Sequence, residues 1–171
     1  MLVPTIYFAT STGKTEDVAH RLAPLVKAAA VLDVAEISDT ADLGNCEALI
    51  CCTPTWNTGA DDLRSGTAWD SHVEAIETMP LQSKPVAIMG LGDSSSYGDY
   101  FCDAMEELYR AFERAGARLV GQVDISGYNY NRSRSVLNGR FCGLPIDEDS
   151  EPELTEERLQ RWAEQLRREL V

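Results

Sequence analysis

Thr5-Ile6-Tyr7-Phe8-Ala9-Thr10-Ser11-Thr12-Gly13-Lys14-Thr15 decides how the rest of the chain is read. Its first half is a β-rich apolar run. Its second half is small and hydroxylated, and it opens directly into the helical spacing Val18, Leu22, Leu25, Val26, Ala29. A strand that turns straight into a helix points main-chain N–H groups at whatever sits above the helix N-terminus, where the macrodipole favours an anion. The hydroxyls of Thr10, Ser11, Thr12 and Thr15 add neutral donors, and Gly13 permits the tight turn. The segment reads as a phosphate cradle, against the plain alternative of a Ser/Thr-rich helix cap with no ligand. A nucleotide P-loop ending in Gly13-Lys14-Thr15 is disfavoured, because the position of that motif's first Gly is filled by Phe8.

Outward from this turn, short apolar runs alternate with longer segments of helical period, the pattern of a parallel sheet covered on both faces. Five strands are expected: Thr5–Thr10, Leu32–Ile37, Ala48–Cys52, Pro85–Gly90 and Arg118–Val123. A later helix carries Phe101, Met105, Leu108, Phe112 and Ala115; the last carries Leu159, Trp162, Leu166 and Leu170, with Thr155 as its N-cap. Two stretches break the alternation, Asn57–Thr67 and Ser126–Ser150. Long irregular loops in compact domains are usually functional or disordered.

The third strand ends in Thr53-Pro54-Thr55-Trp56-Asn57-Thr58-Gly59, and the fourth in Gly90-Leu91-Gly92-Asp93-Ser94-Ser95-Ser96-Tyr97-Gly98-Asp99. Both lie at carboxyl ends of strands flanking the first, where open α/β sheets bind ligands. Each loop offers one large aromatic among small residues. Either alone is most simply read as packing its own loop. Together with the phosphate cradle, Trp56 and Tyr97 describe a site for a mononucleotide carrying a flat ring, and the spacing suits FMN.

The chain has 171 residues with Lys plus Arg 15 and Asp plus Glu 28, a formal charge of 15 − 28 = −13. That disfavours nucleic acid and anionic membrane as partners. Composition is ordinary for one globular domain, 1–171, and excludes disorder and coiled coil. Residues 31–80 hold ten acids, Asp33, Glu36, Asp39, Asp42, Glu47, Asp61, Asp62, Asp70, Glu74 and Glu77, against Arg64 alone. Residues 147–171 are also acidic, whereas 121–146 carry Arg132, Arg134 and Arg140 against Asp124. An acidic face for a basic partner is one reading; a surface that avoids association, hence a monomer, is the other. Cys46, Cys51, Cys52, Cys102 and Cys142 are odd in number with no Cys-x-x-Cys spacing, which points to a reducing compartment rather than a disulfide or zinc framework. His20 and His72 read as surface residues. No apolar run reaches the roughly 20 residues of a membrane span, and the chain enters its first strand at once, as a mature form without a targeting segment does.

On Thr10–Thr15, Pro54–Gly59, Gly92-Asp93 with Tyr97, Phe101–Ala104, Gly127-Tyr128, Asn138–Phe141, Gly143-Leu144, Asp147–Asp149 and Pro152–Thr155, the sequence resembles the long-chain flavodoxins of cyanobacteria, other bacteria and algae. Ser65-Gly66-Thr67-Ala68-Trp69-Asp70 is similar to algal members in particular. The resemblance implies a flavodoxin-like doubly wound α/β fold, a five-stranded parallel sheet of order 2-1-3-4-5 with an insertion in the fifth strand at about 126–145; flavodoxin is itself the standard example of FMN at the switch point of that sheet.

The resemblance further implies that Thr10, Ser11, Thr12, Gly13, Lys14 and Thr15 hold the FMN phosphate, with Trp56 on one face of the ring and Tyr97 on the other. Thr55, Asn57, Thr58, Gly59, Leu91, Gly92 and Asp93 would line the polar edges, Asp147 the rim, and Thr53, Pro54, Tyr100, Phe101 and Cys102 would complete the contacts. Tyr100 stands where many members have Asn, and Ser94-Ser95-Ser96 replaces a more usual stretch. No metal site and no catalytic residue is expected.

The implied function is a low-potential one-electron carrier shuttling between semiquinone and hydroquinone and able to replace ferredoxin. A negative charge added to the ring at about 4 Å from another costs roughly 1–4 kcal/mol, and each kcal/mol lowers a one-electron potential by roughly 40 mV. A peptide flip at Asn57–Thr58 or Thr58–Gly59 is implied, with Gly59 supplying the freedom. Implied partners are ferredoxin–NADP⁺ reductase and, in a photosynthetic source, photosystem I, in a bacterial cytoplasm or a plastid stroma. The alternative from another class is an FMN-dependent NAD(P)H:quinone reductase, which would need a nicotinamide pocket that Trp56 and Tyr97 would block. A phospho-acceptor receiver domain needs an Asp at the end of the third strand, where Thr53-Pro54 stand.

Overall fold

In the computed structural model, which describes residues 1–171, the opening apolar run forms β1 (Pro4–Phe8), buried along its whole length. It is followed by α1 (Lys14–Val26), β2 (Ala30–Asp33), β3 (Ala48–Thr53), a short α2 (Val73–Ile76), β4 (Pro85–Leu91), α3 (Ala104–Arg114) and β5 (Arg118–Val120). Then come β6 (Val123–Asp124), β7 (Val136–Leu137), β8 (Arg140–Phe141), β9 (Leu144–Ile146) and α4 (Thr155–Glu169). The main sheet is parallel with order β2-β1-β3-β4-β5, as the resemblance implies, and β9 also pairs with β4. The first strand is flanked by β2 and β3, so the fourth lies one strand further out rather than beside it.

Side-chain alternation splits the core in two. Ile6, Phe8, Ile50, Cys52, Ala87 and Met89 face α1 and α4 with Val18, Leu22, Trp162 and Leu166. Tyr7, Leu49, Cys51, Val86 and Ile88 face α3 and the Trp69–Ile76 region with Met105, Leu108 and Phe112. Both faces are covered, so the central strands read as continuous apolar runs.

Besides the first strand, which ends at Phe8 rather than Thr10, and the later helix, which starts at Ala104 and leaves out Phe101, four sequence readings are corrected. The second strand is Ala30–Asp33 rather than Leu32–Ile37: Asp33 accepts the Ala35 N–H at 2.8 Å and starts a 3₁₀ turn over Val34–Glu36. The first helix stops at Val26, and the Ala29 N–H is already committed to the Pro4 carbonyl at 2.8 Å. Thr155 is not an N-cap; its hydroxyl donates to Glu148 Oε2 at 2.7 Å from inside the first turn.

The fourth correction concerns the fifth strand, which is in two pieces. β5 pairs with Pro85–Ala87 and β9 with Met89–Leu91 along the same edge of β4. The insertion therefore runs from Gly121 to Gly143, not 126–145, and Pro145 is a strand residue opposite Gly90. Gly143 allows the return, because a Cβ there would lie 2.1 Å from the Ile88 carbonyl oxygen. Within the insertion, β6, β8 and β7 form a small antiparallel sheet. Its Phe141 packs with Phe101, Tyr128 and Tyr130.

No helix is long and apolar enough to cross a membrane. His72 is buried rather than on the surface, with Nδ1 2.7 Å from Thr40 Oγ1.

Candidate functional site

The turn after β1 is built as its sequence demands. Gly13, at φ 93°, is the N-cap of α1, and its N–H donates to Thr10 Oγ1 at 2.9 Å. The first N–H groups of α1 lack acceptors within the helix and open on the carboxyl edge of the sheet. With the hydroxyls of Thr10, Ser11, Thr12 and Thr15 they form one end of a cleft. Lys14 is paired with Asp149, and that hydrogen bond holds its ammonium above its ordinary pKa. The Lys14 charge is thus shared with an acid, so anion binding there falls mainly to neutral donors.

The loops after β3 and β4 bound the rest of the cleft, with Pro54, Thr55, Trp56 and Thr58 from one and Leu91, Gly92, Asp93, Tyr97 and Tyr100 from the other. Trp56 and Tyr97 are 50% and 51% exposed, large apolar surfaces left open to solvent. Single exposed aromatics are unremarkable, but two lining one cleft are a binding surface.

Each loop is held by its own hydrogen bonds. On the first, the Trp56 N–H donates to the Ser65 carbonyl at 3.2 Å, the Asn57 N–H to the Arg64 carbonyl at 3.0 Å, and Asn57 Nδ2 to the Leu63 carbonyl at 2.7 Å. A Cβ on Gly66, at φ 65°, would meet Trp56 Cβ at 2.8 Å. Thr55 Oγ1 accepts the Ala104 N–H at 3.0 Å and so ties the cleft to the start of α3.

On the second, Asp93 accepts from the Ser95 and Ser96 N–H groups and, at 2.6 Å, from the Ser150 hydroxyl. Burial pushes the Asp93 carboxyl up, but these bonds outweigh it and hold it below its usual range. Asp147 is fully buried and accepts from the Ser94 N–H at 3.1 Å, the Ser94 hydroxyl at 2.5 Å and the Ser150 N–H at 2.8 Å.

Of the residues expected at the site, fourteen meet along the cleft: Thr10, Ser11, Thr12, Lys14, Thr15, Pro54, Thr55, Trp56, Thr58, Leu91, Gly92, Asp93, Tyr97 and Tyr100. The others do not line it. Gly13 shapes the turn, Asn57 braces its own loop, and Gly59 packs against the Tyr100 ring, which would lie 3.6 Å from a Cβ. Thr53 and Asp147 are buried in the strand ends, their oxygens engaged by neighbouring groups. Phe101 belongs to the aromatic cluster under the insertion. Cys102, at φ 53°, turns its Sγ to the Gly90 carbonyl behind the wall.

Asp149 lines the cleft and was missed, as were Arg64 and Glu107, which fasten the Trp56 loop to α3. The acid run Asp147–Asp149 was a visible signal for the first. Nothing local in the sequence pairs Arg64 with a helix some 40 residues away.

The profile of the flavodoxin family matches residues 6–162. The chain is 36% identical over 166 residues to the flavodoxin of Synechococcus elongatus, covering 96% of this chain and 95% of that one. It is 34% identical over 176 residues to flavodoxin 1 of Escherichia coli, covering 99% and 96%. Among solved structures, Fusobacterium nucleatum flavodoxin bound to flavin mononucleotide superposes with TM-score 0.87 at 28% identity, covering 99% of each chain. A cleft at the switch point of a 2-1-3-4-5 sheet, and a match along nearly the full length of both sequence and fold, establish that this chain belongs to the flavodoxin family.

Proposed function

We propose that residues 1–171 act as one unit that binds a single FMN non-covalently in this cleft and serves as a low-potential one-electron carrier, able to replace ferredoxin in reductive electron transfer. One observation carries the reading: a hydroxyl-rich anion cradle at a helix N-terminus shares a cleft with two half-exposed aromatics on its two bounding loops. That donor set fits a phosphomonoester attached to a flat ring.

Thr10, Ser11, Thr12 and Thr15 bind the phosphate with the first N–H groups of α1, while Gly13 shapes the turn and Lys14 stays neutralised by Asp149. Trp56 and Tyr97 orient the ring by stacking and exclude water from its faces. Thr55, Thr58, Leu91, Gly92 and Asp93 meet its edges, with Tyr100 closing one end. Thr53, Asn57, Gly59, Phe101, Cys102 and Asp147 support these walls from behind. When bound, FMN supplies the electron chemistry. Around it the chain places Asp93 at the cleft within a net charge of −13, Asp149 being paired with Lys14, and that excess of negative charge disfavours more and lowers the potential.

Members of this family pass electrons to redox partner proteins. For this chain we assign ferredoxin–NADP⁺ reductase, and photosystem I in a photosynthetic source, docking on the acidic face near the Trp56 loop, in a bacterial cytoplasm or a plastid stroma. An NAD(P)H:quinone reductase is disfavoured because aromatics on both bounding loops leave no open ring face for hydride transfer.

The test is the visible spectrum and potentiometric titration of the purified protein under anaerobic stepwise reduction, with NADPH oxidation assayed in the absence of any reductase. One FMN per chain, reduced in two separated one-electron steps and inert to NADPH, is expected. No bound flavin would overturn the cofactor; a single two-electron step with direct NADPH oxidation would favour the reductase.

A further inference from the structure

Arg64 sits on the loop behind Trp56 and lines no part of the cleft, yet its side chain is only 8% exposed. Its Nη1 donates at 2.9 Å to both the Asp103 carbonyl and Glu106 Oε1, at the start of α3. Its Nε and Nη2 donate to the Asp61 carbonyl of its own loop at 3.3 and 3.2 Å. The planar fork therefore bridges loop and helix, a geometry a lysine cannot reproduce.

A second tie runs beside it. The Glu107 carboxylate accepts the Leu63 N–H at 2.6 Å and the Arg64 N–H at 3.1 Å. Leu63 is held at φ 51°, a left-handed conformation that costs a residue with a Cβ energy and persists only where its surroundings over-determine it. Glu107 does so here.

The clamp reaches the cleft through the loop's own bonds: the Trp56 and Asn57 N–H groups donate to the Ser65 and Arg64 carbonyls, and Asn57 Nδ2 to the Leu63 carbonyl. We propose that Arg64 and Glu107 are positioning residues that fix the Trp56 wall from α3 and thereby set the balance between oxidised and reduced flavin in the cleft. This rests on the FMN reading above. The negative π-face of Trp56 disfavours an anionic reduced ring more than a neutral oxidised one. A wall free to withdraw therefore weakens binding of the oxidised form more than the reduced form.

The test uses Arg64→Ala and Glu107→Gln, each compared with the unaltered protein in two measurements. In the apoprotein, acrylamide quenching reports on Trp56, which is 50% exposed while Trp69 and Trp162 are 0% and 1% exposed. With FMN bound, the two-electron midpoint potential is titrated. Both variants are expected to increase quenching. Arg64→Ala is expected to weaken oxidised FMN about tenfold more than reduced FMN, raising the potential by about 30 mV, with a smaller shift of the same sign in Glu107→Gln.

Unchanged potential and quenching in both variants, even with a lower apoprotein melting temperature, would mean that the pair only stabilises the fold and would overturn the inference. If Arg64→Ala does not fold, Glu107→Gln decides by the same criteria. Unaltered protein that binds no FMN refutes the proposed function instead; quenching alone then decides whether the clamp holds Trp56.

Discussion

Gly92 turns the β4 loop over Cys102, where a Cβ would lie 2.8 Å from Cys102 Sγ and 3.0 Å from its main-chain nitrogen. A backbone atom cannot step aside, so Gly92→Ala is expected to destabilise the apoprotein by about 1–3 kcal/mol in urea titration. Asp93, next to it, links that loop to pH. Burial raises its carboxyl pKa, but bonds from Ser150, Ser96 and Ser95 bring it below the ordinary 3.8. A carboxyl lower in the folded than in the unfolded chain stabilises the fold above the unfolded value and loses that contribution as pH falls through the folded one. Ser150→Ala is expected to move the Asp93 titration upward, as read by carboxyl-carbon NMR; an unmoved titration would refute the link. The thiols follow burial too: it raises the pKa of Cys51, Cys52 and Cys102, and pushes Cys142 up to about 12. At pH 8 a thiol reagent should reach at most the partly exposed Cys46 in the native protein, and all five after denaturation.

Among the elements, α3 is the one on which the site converges. Its start receives Thr55 from the cleft, Arg64 from the Trp56 loop, and the insertion, where the Arg134 N–H donates to Asp103 Oδ1 at 2.8 Å and Ser135 Oγ accepts the Glu106 N–H at 3.1 Å. The insertion is therefore bound into the domain rather than appended to it. Phe141, fully buried at its centre, makes this testable: Phe141→Ala is expected to cost about 3–5 kcal/mol in denaturant unfolding. A loss below about 1 kcal/mol, at the level of a surface change, would mean that the insertion is peripheral. Periodicity foresaw the central strands because both of their faces are buried. It ran Arg118–Val123 into one strand because a local apolar pattern carries no record of where its hydrogen-bond partner changes from β4 to β8.

Across the whole molecule the −13 charge is uneven, and the structure sorts its acids by task. Asp70 is not free for docking: it accepts the Ser65 hydroxyl at 2.6 Å and the Gly66 N–H at 3.0 Å and shapes the loop behind Trp56. Asp61 and Asp62 are exposed beside that loop, Asp61 in a surface pair with Arg134 at 3.1 Å. Such exposed pairs contribute little. Asp61→Asn with Asp62→Asn should slow electron transfer to a basic partner by about three- to tenfold at low salt and flatten its salt dependence. Stopped-flow rates unchanged at low ionic strength would move the docking face elsewhere.

By itself the sequence determined the parallel sheet, the Thr10–Thr15 cradle and the two aromatics Trp56 and Tyr97, because strand periodicity, the strand–turn–helix and the loop chemistry are all written over short separations, while the strand order and the other cleft residues followed only from its resemblance to the flavodoxins. Only the tertiary structure decided that Phe101, Cys102 and Asp147 stand behind the wall, that β9 completes the split edge strand, and that Arg64 and Glu107 brace Trp56 from α3. Those facts depend on which groups meet after distant segments fold together, and burial and hydrogen-bond partnership at such separations leave no local pattern to read.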